Sequence, residues 1–172
     1  APKRNSKQTK TRILDSAVKL MAVSGFQNVT QRDIANDADV NLALINYHFG
    51  NRIGLLHAVL ERAAKPIIEQ INRHLDACDE RAKKTGRLDA GEIIESYLRP
   101  VMSLDMDDAE SARLHRMFGL AFSDPSMEMG RAIHRIFREV ASRYSAMLRE
   151  ACPELSSQEF YWRMVSTFGA MI

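Results

Sequence analysis

The stretch Thr30–Leu56, TQRDIANDADVNLALINYHFGNRIGLL, decides how the rest of the chain is read. Thr30 followed three residues later by Asp33 is the T-x-x-D form of a capping box. In it the hydroxyl and the carboxylate each take up a backbone N–H at a helix start. Ile34, Ala35 and Ala38 then fall on one helical face. Asp37-Ala38-Asp39-Val40 is a poor helix interior and predicts a turn. Asn41 is a second N-cap, opening a helix from Leu42 to about His48. Helices this short are not stable alone in water, so they must lie on a neighbour. The preceding helix, ending at Gly25, supplies one. Two short helices packed across a tight turn form a helix-turn-helix, whose second helix enters the DNA major groove.

The residues carry the reading further. Val40-Asn41-Leu42-Ala43-Leu44-Ile45-Asn46-Tyr47-His48-Phe49-Gly50-Asn51-Arg52, followed by Leu55 and Leu56, resembles the DNA-binding domain of the TetR family of bacterial transcriptional repressors. The x-Y-H-F-G-x-K/R-x-x-L-L string is that family's signature. Ile13-Leu14, Ala17, Gly25-Phe26, Thr30, Ile34-Ala35 and Ala38 also stand where the family places them, so the resemblance covers roughly residues 9 to 60. Two positions depart from the pattern. The turn has Asp39 where the family usually has Gly; Asp is among the few other residues that tolerate positive φ. The recognition helix has Asn46 where the family usually has Tyr, which implies a different base reading.

Length and composition fit this. A chain of 172 residues, 45% hydrophobic with few Pro and Gly, is long enough to bury a core and is neither disordered nor fibrous. Cys78 and Cys152 stand far apart and read as two small helix residues in a reducing cytoplasm. No apolar run approaches the roughly 18 residues a membrane span needs, so a cytoplasmic protein with no membrane partner is expected. The net charge of +2 is uninformative, but its distribution is not. Residues 1 to 12 carry Lys3, Arg4, Lys7, Lys10 and Arg12 and no acid, a basic arm suited to phosphate.

Every periodic segment reads as helix, which predicts an all-α chain. Helix 1 runs from about Gln8 to Ser24 with Ile13, Leu14, Ala17, Leu20 and Met21 on one face. The fourth helix spans about Arg52 to Asp76; Pro66 inside it predicts a kink or break. Asp79 to Asp89 is charged and reads as a loop. Further helices follow at about Ala90–Ser103, Asp108–Phe122 and Met127–Ala151. The last opens with a second capping box, Ser156 and Glu159, and continues to the end. Phe160, Tyr161, Trp162, Met164, Val165, Phe168, Met171 and Ile172 make it apolar nearly all round, the pattern of a helix buried on more than one side, one of them against another subunit. The chain closes on an apolar half-finished helix, and the resemblance implies one more helix beyond it. The expected division is a DNA-binding domain over residues 1–54 and a ligand-binding, dimerising helical bundle over 55–172.

Five scattered histidines form no H-x-x-x-H pair, there is no C-x-x-C, and no glycine loop cradles phosphate. No enzyme, metal or cofactor is therefore expected. For double-stranded operator DNA, Asn46 can pair bidentately with adenine, and Leu42, Ala43 and Leu44 can meet thymine methyls. For Leu44, packing against helix 1 is an equal alternative. Thr30, Gln31, Tyr47, His48 and Arg52 suit phosphate, with Tyr47 and Arg52 foremost; His48 could equally be wedged beneath the motif. Eight of the nine methionines lie after residue 100. Methionine fills irregular apolar space, whether core or ligand cavity. A small hydrophobic effector would be lined by Tyr97, Leu98, Met102, Met117, Phe118, Phe137 and Trp162. The segments Asn46-Tyr47-His48-Phe49, Pro153-Glu154-Leu155 and Phe160-Tyr161-Trp162-Arg163 look like the PsrA-like, fatty-acid-responsive branch of the family, which implies a fatty acid or acyl thioester. The expected function is a homodimeric, ligand-released repressor. A multidrug-type efflux repressor of the same fold, or a helical interaction module that binds no DNA, are the alternatives.

Overall fold

The computed structural model describes residues 2–102 and 109–169, with side chains at 6–100, 112–113 and 116–167. Every element among the described residues is a helix: α1 Pro2–Ser24, α2 Gln31–Asp37, α3 Leu42–Phe49, α4 Arg52–Thr85, α5 Ala90–Met102, α6 Ala109–Ser123, α7 Met127–Ala151 and α8 Ser157–Gly169. By their contacts these sort into two compact units, residues 1–65 with 105–136 and residues 66–104 with 137–172.

In the first unit α1 packs on α2, α3 and α6. Its apolar face, Ile13, Ala17 and Met21, is buried along with Ile34 and Ala35 of α2, Ile45 of α3 and Met117, Phe118 and Ala121 of α6. The two short helices gain their stability from this packing rather than from their own length. Helix α1 begins six residues earlier than its apolar periodicity indicates, so the basic segment is helical from Pro2. Lys, Arg and Gln are good helix formers and extend a helix that burial has nucleated further along.

In the second unit Ile67, Ile71, Leu75 and Cys78 of α4 are buried, as are Ile93 of α5 and Val140, Tyr144, Met147 and Leu148 of α7. Arg143 of α7 fastens that helix to α4, reaching Asp76 at 2.7 Å, Asp79 at 2.8 Å and the Asn72 side chain at 3.3 Å. The Tyr97 and Tyr144 rings meet at 5.1 Å. Burial pushes the Tyr144 phenol up to about 12.

Of the kink or break expected at Pro66 the break does not occur, and the loop expected over residues 79–89 is corrected. Helix α4 passes Pro66 without a break and runs on to Thr85. The proline forfeits one backbone hydrogen bond, and the buried stripe on both sides of it holds the helix. Beyond Asp76 the charged residues are helix formers rather than a loop. Lys83 bonds Glu80 at 2.6 Å, and Arg81 bonds Glu92 of α5 at 2.7 Å. Lys83 and Lys84 stand in the last turn, where the helix dipole favours cations. The boundary between the two units falls at Lys65–Pro66, inside this continuous helix.

Candidate nucleic-acid interface

Local chemistry sets α2 and α3 in place. The Thr30 hydroxyl accepts from the Asp33 amide at 3.2 Å, and the Asp33 carboxylate accepts from the Thr30 amide at 2.9 Å and the Thr30 hydroxyl at 2.6 Å. That contact with the hydroxyl, followed by the one with the amide, holds the Asp33 carboxyl below the ordinary carboxylate range. Lys19 of α1 bonds Asp37 at the other end of α2 at 2.6 Å. Asn41 caps α3, its side-chain oxygen accepting from the Ala43 amide at 2.8 Å. Gly50 closes α3 at φ +76°, its amide bonded to the Asn46 carbonyl at 2.8 Å.

The joint between α3 and α4 is tight. A Cβ at Gly54 would stand 2.0 Å from the carbonyl oxygen of Phe49, so only glycine lets the two helices meet this closely. The sequence signal for Gly54 is slight: a glycine in the first turn of an amphipathic helix, just after the Gly50 turn.

The structure brings most of the residues predicted to contact DNA onto or beside α3. Ile45 is fully buried, while Ala43, Leu44, Asn46 and Tyr47 are exposed on the other side of the helix. Tyr47 is the most open of them at 80%. Leu42 and His48 are half-buried; the His48 ring stands edge-on to Tyr47 at 5.2 Å and tilted to Phe49 at 6.1 Å. Lys10 of α1 lies over the Phe49 ring at 5.7 Å. Thr30 is exposed, but its hydroxyl is taken up in the capping box. Gln31 is half-buried, and its amide nitrogen is buried with no hydrogen-bond partner among the described residues.

Arg52 is engaged within the protein. Its guanidinium donates to the Val29 carbonyl at 2.7 Å and to the Phe26 carbonyl, tying the start of α4 to the loop before α2.

The residues predicted to line an effector site fall in both units. Met117 and Phe118 are buried in the first unit. Tyr97, Leu98 and Phe137 are half-buried in the second, and Trp162 is 59% exposed on α8. The Met102 side chain lies outside the described residues, as do the Phe168 side chain and Met171 and Ile172. A cleft of about 300 Å³ in the second unit is lined instead by His74, Cys78 and Arg81 of α4 and Glu92, Ser96 and Arg99 of α5. No helix among the described residues is long and apolar enough to cross a membrane.

Comparison with known proteins agrees with this geometry. Residues 13–59 match the model for bacterial regulatory proteins of the tetR family, and residues 95–172 match a tetracyclin repressor-like C-terminal domain. The chain is 46% identical over 54 residues to the probable HTH-type transcriptional regulator YttP of Bacillus subtilis, a match covering 31% of this chain and only 26% of that protein. It is 22% identical over 153 residues to the HTH-type transcriptional regulator BetI of Burkholderia thailandensis, covering 87% of this chain and 72% of that protein. Among solved structures, the transcriptional regulator SCO7518 of Streptomyces coelicolor A3(2) superimposes with a TM-score of 0.57 at 26% identity, over 84% of this chain and 75% of that one. The two family models together take in well over half the chain, and they meet a structure whose helix α3 presents an exposed polar and aromatic face. The chain belongs to the TetR family and is a helix-turn-helix transcription regulator.

Proposed function

We propose that this chain is an operator-binding repressor that works as a homodimer in the cytoplasm and is released by a small hydrophobic effector. Residues 1–54 would dock on double-stranded DNA, and residues 55–172 would pair the two copies and take the effector. The observation that carries the DNA reading is the exposed face of α3, Ala43, Leu44, Asn46 and Tyr47, on a helix capped at both ends and anchored by Ile45. A face that must meet base edges has to be held and open; this helix is capped at both ends and its face is exposed.

In this reading Asn46 pairs with adenine, while Ala43, Leu44 and the half-buried Leu42 meet thymine methyls. Tyr47 and His48 at the rim of α3, and Thr30 and Gln31 at the start of α2, meet sugar and phosphate. Lys7 and Lys10, exposed on α1, add positive charge. Arg52 acts mainly as a brace, because a phosphate would have to compete for it with two backbone carbonyls.

Pairing of two copies is supported by α8, where Tyr161, Trp162 and Val165 stand exposed in the single chain. Two copies would present their α3 helices to successive major grooves, roughly 34–36 Å apart. Helix α4 links the two halves of the mechanism, since it runs unbroken from the recognition unit into the second unit. An effector acts only through its difference in affinity for the DNA-competent and DNA-incompetent geometries. Its proposed lining within the second unit is Tyr97, Leu98, Met102, Phe137 and Trp162. The likeness to the fatty-acid-responsive branch favours an acyl chain.

The test is fluorescence anisotropy on a duplex enriched from a random library by the full chain, with acyl thioesters of increasing length titrated into the complex. The reading expects release by a long-chain ligand, and an equal weakening of ligand binding by the duplex. If no acyl ligand releases the duplex at concentrations that bind the free protein, the acyl reading is overturned.

A further inference from the structure

The turn between α2 and α3 holds an unusual residue and an unusual brace. Helix α2 ends in a Schellman arrangement: the Asp39 amide bonds the Asn36 carbonyl at 3.2 Å, and the Val40 amide bonds the Ala35 carbonyl at 2.9 Å. The residue that must turn left-handed in such an ending is normally glycine. Here it is Asp39, at φ +48°, the one non-glycine residue with positive φ among the described residues. The ending satisfies the carbonyls of Ala35 and Asn36 but not those of Ala38 and Asp39. Arg12 of α1 takes up both, donating from one guanidinium nitrogen to the Ala38 carbonyl at 2.5 Å and to the Asp39 carbonyl at 3.0 Å. The same nitrogen stands 3.6 Å from the Asp39 carboxylate, which is fully exposed, so that ion pair adds little. Charge-assisted bonds to backbone carbonyls are the stronger kind.

Arg12 belongs to the basic segment that by sequence reads as a phosphate-binding arm. We propose instead that Arg12 is a positioning residue of the DNA-reading surface: by clamping the Ala38 and Asp39 carbonyls to α1 it holds a non-glycine turn in its left-handed shape and so fixes the angle at which α3 meets DNA. Asp39 and the α3 cap Asn41 are two residues apart, so a change in the turn is carried directly into the start of the recognition helix. The proposal rests on the DNA reading given above.

The test is a binding cycle on the enriched duplex with four proteins: wild type, Arg12→Ala, Asp39→Gly and the double variant, with Arg12→Lys alongside. Each is measured across a salt series and at single-base-substituted duplexes, at a temperature where circular dichroism shows every variant folded. The expected result for Arg12→Ala is a loss of about tenfold in affinity, the size of a lost charge-assisted hydrogen bond. The salt slope should be unchanged, and discrimination between bases facing α3 should be reduced. Arg12→Lys should behave the same way, because its stem is one bond shorter and its charge alone does not restore the clamp. In the Asp39→Gly background the loss from Arg12→Ala should shrink to about twofold or threefold, since glycine takes the turn without a clamp. A salt slope that falls by about 0.9 in Arg12→Ala, with Arg12→Lys binding like wild type, would make Arg12 a phosphate contact and overturn the proposal. A lowered melting temperature with unchanged affinity would leave it a purely structural residue and overturn it as well. If the wild-type chain enriches no duplex, the DNA reading itself fails, and the proposal falls with it.

Discussion

Helices α3 and α8 each expose aromatic side chains, as α6 does at Phe122, and α3 and α8 do so in different company. Tyr47 of α3 is 80% exposed, and its neighbours are Asn46 and Ala43, with Lys7 and Lys10 exposed on α1. Tyr161 and Trp162 of α8 are 60% and 59% exposed, and the next open residue of that helix beyond Arg163 is Val165. The aromatic body is common to both; α8 also exposes Gln158, Glu159, Arg163 and Ser166, but its two charges are of opposite sign, whereas Lys7 and Lys10 of α1 are both positive. A face that mixes amide, phenol and nearby ammonium groups suits a polar, anionic partner. A face of tyrosine, tryptophan and valine gains most from a partner that also excludes water. Both helices are opened by a side-chain cap, Asn41 for α3 and the Ser156–Glu159 box for α8, so each presents its face on a defined start. An exposed aromatic residue therefore carries little meaning alone; what surrounds it decides the reading.

The sharpest way to break this comparison is to place charge on the α8 face. Trp162→Glu should cost the dimer at least about 2 kcal/mol, the scale of an interface hot spot, or roughly thirtyfold in self-association. Operator binding should fall with it. Sedimentation across a concentration series reads the first effect and anisotropy the second. A Trp162→Glu protein that associates as the wild type does would place the pairing surface elsewhere.

A smaller effect is expected on α3, and of a different kind. Tyr47→Ala should weaken binding to the enriched duplex by about 1 kcal/mol, typical of losing one hydrogen bond. The melting temperature and self-association should stay as they were, because the side chain is open. A Tyr47→Ala protein that melts early or fails to pair would mean that α3 and α8 are not separate surfaces.

The smallest effect concerns the cap that supports α3 from a distance. Thr30→Ala should cost about 1 kcal/mol of stability. It should also release the Asp33 carboxyl, now held below the ordinary range, toward its usual value near pH 4. The sign follows from linkage. A folded-state pKa below the unfolded one contributes stability that is present above the unfolded value and lost as pH falls through the folded value. The wild type should therefore lose this contribution in acid, and Thr30→Ala should lack that acid-dependent loss. Carbon-detected titration of Asp33 in the two proteins checks both statements.

Much of the recognition unit could be read in the chain because its signals are local. Thr30 and Asp33, Asn41 and Gly25 each act within about one helical turn, and the structure shows each of them at a helix end. What could not be read depends on partners far away in sequence. Arg52 carries the same charge whether it faces a phosphate or a carbonyl, and only the fold shows that Phe26 and Val29 hold it. Arg12 was hidden for the same reason, its partners lying 26 and 27 residues on. The periodicity of α6 marks Met117 and Phe118 as buried, but not that α1 covers that helix. Charged residues suit both a loop and an exposed helix, so the end of α4 is not legible from composition. The Lys83–Glu80 and Arg81–Glu92 pairs that accompany the helix there are not visible in composition. Apolar character is the sequence signal of the proposed effector residues, and core, interface and ligand site all share it.

The central claim is that the open face of α3 reads base sequence, and selection from a random duplex library with the wild-type chain and with Asn46→Ala tests it most directly. The account predicts that the wild type enriches a two-fold symmetric motif. With Asn46→Ala the preference at one position of each half-site should relax, at a cost of roughly 1–3 kcal/mol on the wild-type site, while the rest of the motif persists. Enrichment of the same motif with the same preference at every position by both proteins would contradict it.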